Sequence, residues 1–132
     1  MKTSTYARNS QLDRFSLLAN GGFLRIFTGP QPATADASPA KTVQMISEHR
    51  LSIPAFGSAY GGQLKSNSIS DDPDARISAT ASWFRVTQMD GSTVLFDGSI
   101  GDRDSSADLK MNPQIQARAR VIVESITITQ PY

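Results

Sequence analysis

The chain has 132 residues, 39% of them hydrophobic, with thirteen Lys and Arg against twelve Asp and Glu and a net charge of +1. That length supports one domain with its own core, and the near-zero charge argues against a protein whose main work is holding nucleic acid. With no Cys and a single His, disulfide scaffolds, thiolate metal sites, cysteine nucleophiles and His-based metal sites are excluded.

The polar residues are unevenly chosen. Ser and Thr supply 27 of them, Asp outnumbers Glu ten to two, and Arg outnumbers Lys nine to four. Glu and Lys favour helices, Thr favours strands, and Ser and Asp favour turns, so the balance predicts an all-β protein. Met1-Lys2-Thr3-Ser4-Thr5-Tyr6 lacks the apolar stretch of a signal peptide, and no apolar run nears the roughly 18 residues of a membrane helix. A soluble chain made in a cytoplasm is expected.

Leu12, Phe15, Leu18 and Ala19 fall at helical spacing, with Arg8, Gln11, Asp13, Arg14 and Ser16 mostly opposite. One short amphipathic helix is predicted over residues 4–19, stopped by Asn20-Gly21-Gly22. Being short it depends on docking, and it packs on the body or reaches to a neighbour as an N-terminal arm of residues 1–22. The period then changes to two. Phe23-Leu24-Arg25-Ile26-Phe27-Thr28 reads as a strand ended by Gly29-Pro30, and the Pro-, Ala- and Ser-rich residues 31–41 as an irregular loop. Residues 43–53 alternate, with Met45, Ser47, His49, Leu51 and Ile53 on one face and Glu48, Arg50 and Ser52 on the other. Pro54-Ala55-Phe56-Gly57 breaks the pattern, Tyr60-Gly61-Gly62 turns, and Gln63-Leu64-Lys65-Ser66 opens a short strand toward Ile69. Ser70-Asp71-Asp72-Pro73-Asp74 is a further turn signal.

Residues 75–88 alternate next, with Ile77, Ala79, Ala81 and Trp83 on one face, and Asp90-Gly91 suits the tight connection of a hairpin. Thr93-Val94-Leu95-Phe96-Asp97 returns. An Asp-rich loop over residues 101–108 leads to short strand material at Leu109-Lys110-Met111. The last strand is expected to be long, with Ile115, Ala117, Ala119, Val121 and Val123 on one face and Ile122, Ile126 and Ile128 on the other. A bulge or two-sided burial reconciles that switch, and Pro131 closes the chain. Seven or eight strands at this turn spacing predict a β-sandwich of jelly-roll or related type over residues 23–132.

The search for chemistry starts at His49, between Glu48 and Arg50. Successive residues of a strand point to opposite faces, so Glu48 and His49 make no local acid–base pair, and His49 reads as a strand-surface or interface histidine. Gly57-Ser58-Ala59-Tyr60-Gly61 resembles a nucleophile elbow only superficially, because Ala59 stands where the serine must be. Asp71, Asp72 and Asp74 in one loop, and Asp102, Asp104 and Asp108 in another, raise calcium. Neither loop has the EF-hand glycine and glutamate, and Arg103 intrudes among the second set, so solvated turn aspartates are the reading. Arg118 and Arg120 share a face of the expected last strand, and Arg76 and Arg85 lie on another. Without interleaved aromatics they suit a partner carboxylate or a solvated sheet face better than phosphates. Of the adjoining Trp83 and Phe84, one faces inward and the other outward, as an interface residue or under the helix. No catalytic, cofactor or metal site emerges, and no cofactor is expected.

A resemblance is carried by Gly21-Gly22-Phe23-Leu24-Arg25-Ile26-Phe27-Thr28-Gly29-Pro30-Gln31-Pro32. It continues through Pro54-Ala55-Phe56-Gly57-Ser58-Ala59, Ala79-Thr80-Ala81-Ser82-Trp83-Phe84-Arg85, Asp90-Gly91-Ser92-Thr93-Val94 and Asp97-Gly98-Ser99-Ile100-Gly101. It ends in Ser125-Ile126-Thr127-Ile128-Thr129-Gln130-Pro131, and so spans nearly the whole chain. In these turn and strand motifs the chain resembles small structural proteins of tailed bacteriophages. The resemblance implies a virion component made in the host bacterial cytoplasm, by preference a capsid cement or decoration protein on an HK97-like shell. Its implied partners are the major capsid protein and further copies of itself, as a dimer or trimer, with no membrane and no specific nucleic acid. A tail, collar or fibre component, and a carbohydrate- or receptor-binding module using Tyr60, Trp83 and the Asp loops, are the alternatives.

Overall fold

The computed structural model describes residues 1–123 and 125–129, and the expected closing Pro131 lies outside them. Helix α1 spans Thr5–Ala19, one residue inside the predicted start, because the Ser4 hydroxyl caps it by accepting from the Ala7 N–H at 3.1 Å. The helix stops where Gly21 takes φ +66, as Asn-Gly-Gly predicts. Among the described residues nine strands follow: β1 Phe23–Thr28, β2 Gln44–Arg50, β3 Gln63–Lys65, β4 Ala79–Thr80, β5 Trp83–Thr87, β6 Val94–Gly101, β7 Leu109–Lys110, β8 Gln114–Ile115 and β9 Ser125–Thr129. The chain is therefore mostly β with one N-terminal helix, as the composition predicts.

Seven strands form one sheet in the order β2-β1-β5-β6-β7-β9-β3, and β4 pairs with β8 separately. The pairs in the large sheet are antiparallel apart from β6 with β7. Beyond the ends of the two edge strands, Leu51 pairs with Ile69, and the Ser70 N–H donates to the Arg50 carbonyl at 3.0 Å. The sheet thus curls until its two edges meet. One core fills the inside, joining Leu24, Ile26, Phe84 and Val86 from one half to Leu64, Leu109 and Ile126 from the other.

The helix belongs to the same core, with Leu12 and Ala19 wholly buried, so residues 1–22 pack on the body instead of standing off it as an arm. Its buried face runs through Arg8, Leu12, Ser16 and Ala19, which corrects the expectation that Arg8 and Ser16 point outward. The Arg8 guanidinium lies against Gly62, where there is no room for a side chain. Phe15 meets Phe96 edge to face at 6.1 Å, and Phe96 meets Phe84 likewise, tying helix to sheet.

Three strand expectations need correction. Residues 43–53 do not alternate throughout: the register slips between Ile26 and Phe27, so Ile46 and Ser47 are both buried, and Ile53 stands 68% exposed. Residues 75–88 hold two strands, β4 and β5, with Arg76 in a bend before them. The long final strand is also two, β8 and β9, because Arg118 adopts φ +67 and turns the chain between them. Ile115, Val121 and Val123 are buried on both sides of that turn, and the apolar face changes only between Val123 and Ile126.

Candidate functional site

The register places three rows across the outer face of β2, β1, β5 and β6. In the middle row Glu48 pairs with Arg25, Arg25 with Arg85, and Arg85 with Asp97. Like charges directly opposite on a sheet repel, so the two arginines coexist because each has its own carboxylate. Arg25 Nε donates to Glu48 at 2.7 Å, and its Nη1 donates to the Gly91 carbonyl at 2.7 Å, holding the β5–β6 turn. Arg85 grips Asp97 through Nε at 2.7 Å and Nη2 at 2.9 Å. That same Nη2 donates to the Ala37 carbonyl at 2.9 Å, which fastens the loop of residues 31–42 over the sheet.

Beneath that loop Trp83 stacks on Phe27, ring centroids 4.4 Å apart, with the Arg85 guanidinium 5.4 Å from the indole. The loop makes β5 buried on both faces. Trp83 faces outward and Phe84 inward, as expected, but both are fully buried, so the outward ring is a covered one and not an exposed interface residue.

His49 is 1% exposed, which overturns the surface reading. The strand turns it into the core, and residues 70–72 close over it. Its Nδ1 lies 2.8 Å from the Ser70 carbonyl, which can only accept, so Nδ1 carries the proton and Nε2 accepts from the Ser47 hydroxyl at 3.0 Å. Burial lowers the imidazole pKa below 6.5, outweighing the Ser70 carbonyl and the nearby Asp72, Asp71 and Glu48, which raise it.

The loop aspartates act as turn acceptors. Asp72 accepts from the N–H groups of Glu48 at 2.8 Å and Asp74 at 3.0 Å, Asp102 from Asp104 at 3.1 Å, and Asp108 from Ser99 at 3.1 Å. Asp90 accepts from the N–H groups of Ser92 and Thr93, and the Thr93 hydroxyl leads in lowering its pKa to about 2. Among the described residues no three His, Asp or Glu side chains converge as a metal site. Arg118 and Arg120 lie in the turn before Val121 and do not share a strand face, and Arg120 approaches Asp71 at 3.9 Å.

The outer face of β3, β9 and β7 is different: it is bare. Here Lys65 stands opposite Thr127, Gln63 opposite Thr129, and Lys110 opposite Ser125. Walls formed by Ser58 and Tyr60 on one side and residues 106–108 on the other make this face an open groove of about 700 Å³. Tyr60, at its rim, is 87% exposed. Sequence reasoning singled out Tyr60 but missed the lysines, whose only signal was alternation opposite Leu64 and Leu109. Among the described residues no helix is long and apolar enough to cross a membrane. Compared with known protein families, curated proteins and solved structures, the chain matches none.

Proposed function

We propose that the chain is a non-enzymatic structural component of a tailed-bacteriophage virion, a capsid cement or decoration protein bound to the major capsid protein. The observation that carries this reading is where the reactive side chains go. His49, Arg85, Asp97 and Asp72 are each taken up in bonds that hold a loop or strand in place. That is the pattern of a body built to hold something. The resemblance set out from the sequence supplies the virion context.

The architecture we propose is a sandwich related to the jelly roll, in which the curled sheet's two halves face each other across the shared core. Such a body stabilises a shell by adding buried area across capsomer boundaries, as copies of itself repeat with the shell symmetry. It needs no cofactor.

Quantitative mass spectrometry of purified particles tests the assignment. Dozens to hundreds of copies of this chain per particle support a cement protein. About six to twelve copies would move it to the tail, collar or fibre, and none would remove it from the virion.

A further inference from the structure

We propose that the groove across β3, β9 and β7 binds an acidic polysaccharide, with Lys65 and Lys110 meeting its anionic groups and Tyr60 stacking on a sugar face. The site goes beyond the virion assignment and does not depend on it.

On the other half of the sheet every outward cation of the middle row is paired, and a loop covers the aromatics. In the groove, Lys65 and Lys110 make no ion pair or side-chain hydrogen bond among the described residues. Asp108, the carboxylate among the described residues that line the groove, accepts from the Ser99 N–H and hydroxyl at 3.1 and 3.3 Å. Among its described residues the groove thus sets two ammonium groups without an ion pair against one carboxylate.

The register sets the geometry. Lys65 and Lys110 flank β9 on opposite sides, level with Thr127 and Ser125 two residues apart. Crossing two strand spacings and two residues along the strand separates their Cα atoms by about 12 Å. Lysines anchored that far apart can close on one anion or reach out to two, and a chain carrying repeated anionic groups engages both along the groove. Between the ammonium groups lie the hydroxyls of Thr127 and Ser125, with the Gln63 amide beyond, a floor of paired donors and acceptors that suits a polyhydroxylated ligand.

The rim is rigid. Tyr60 opens a turn whose central residues, Gly61 and Gly62, have φ +60 and +75, a form that favours glycine. Helix α1 pins that turn: Asn9 accepts from the Gly62 N–H and Asp13 from the Ala59 N–H, both at 2.9 Å. The backbone that carries the exposed Tyr60 ring is thus held, so a ligand that stacks there does not have to order the turn.

An acidic peptide fits less well. Peptides commonly bind a sheet by adding a strand to a free edge, yet the outer edge of β3 is already used. Gly57 N–H donates to the Lys65 carbonyl, and Tyr60 and Gln63 exchange backbone bonds, all at 3.0 Å.

Calorimetric titration of the full chain with four probes decides the matter: oligogalacturonate, neutral maltotetraose, tetraglutamate and inorganic phosphate. Oligogalacturonate is expected to bind, with affinity falling as salt rises to about 0.5 M. The Lys65→Ala/Lys110→Ala variant should weaken it by about tenfold or more and Tyr60→Ala by several fold, with melting temperatures unchanged, since all three side chains are exposed. No binding of oligogalacturonate overturns the proposal, as does binding untouched by these substitutions. Equal or tighter binding of tetraglutamate, maltotetraose or phosphate overturns it in favour of a peptide, neutral-sugar or simple-anion site.

Discussion

Arg85 and Asp97 keep 9% and 4% of their side-chain surface exposed, so each charge relies on the other. Removing one member of such a pair strands a charge and costs about 3–5 kcal/mol, whereas replacing both with apolar groups of similar size is far milder. Asp97→Asn should therefore lower the free energy of unfolding by that amount in a denaturant titration. The Arg85→Met/Asp97→Leu pair should recover much of it. Elastase cleavage within residues 31–42 should nevertheless stay faster than in the wild type, because the Ala37 carbonyl has lost its donor. His49 gives the second residue-scale prediction. Its folded pKa lies below the unfolded value of 6.5, so between the two the unfolded chain takes up a proton that the folded chain refuses. Stability is full above about pH 6.5 and falls as the pH drops through that window. Unfolding titrations at pH 7.5 and pH 5.5 should show this loss, and His49→Gln should flatten it. Equal stability of the wild type at both values would contradict the buried neutral imidazole.

Helix α1 shows at the element scale what sequence patterns carry and where they stop. Its ends were legible because caps are local: Ser4 at the start and Asn20-Gly21 at the end act within four residues. Strand β1 was legible to both boundaries for the same reason, with the period of two bracketed by glycines. The inward face of the helix was not legible. Arg8 turns inward because Gly62, more than fifty residues away, offers it a place to lie, and no helical period encodes that. His49 was misjudged, and the cover over Trp83 was left open. Alternation tells which side of a strand a residue takes, but burial depends on the distant segments, residues 70–72 and 31–42, that fold over those sides. The groove was half legible, since Tyr60 stood out as a turn residue while Lys65 and Lys110 meet only through the β3–β9–β7 pairing. The helix's own weight in the fold is measurable. Leu12 is 0% exposed, and Leu12→Ala should cost about 2–5 kcal/mol. If the helix merely rested on the surface, the same change would move stability by less than about 0.5 kcal/mol.

At the scale of the whole molecule, one core shared by helix and both sheet halves decides how the chain comes apart. Leu12 and Ala19 fill the same interior as Leu64, Phe84 and Ile126, with Phe15 closing over Phe96. Three helix-side groups also hold the far loops, Asn9 at Gly62, Asp13 at Ala59 and Asn20 at Ala55. Deleting residues 1–21 therefore removes part of the interior and three loop anchors together, which a detachable arm would not do. The shortened chain should melt at least about 10 °C lower, or fail to fold, and lose the near-ultraviolet dichroism of its Trp83. Full-length protein should unfold in one transition, with helix and sheet signals coincident. A truncated chain melting like the full one would show that the sheet closes its core alone and that residues 1–22 are free to engage a neighbour. With the expected outcome, residues 1–22 meet a neighbour only as part of the folded body, and the bare groove is one of the surfaces that body offers.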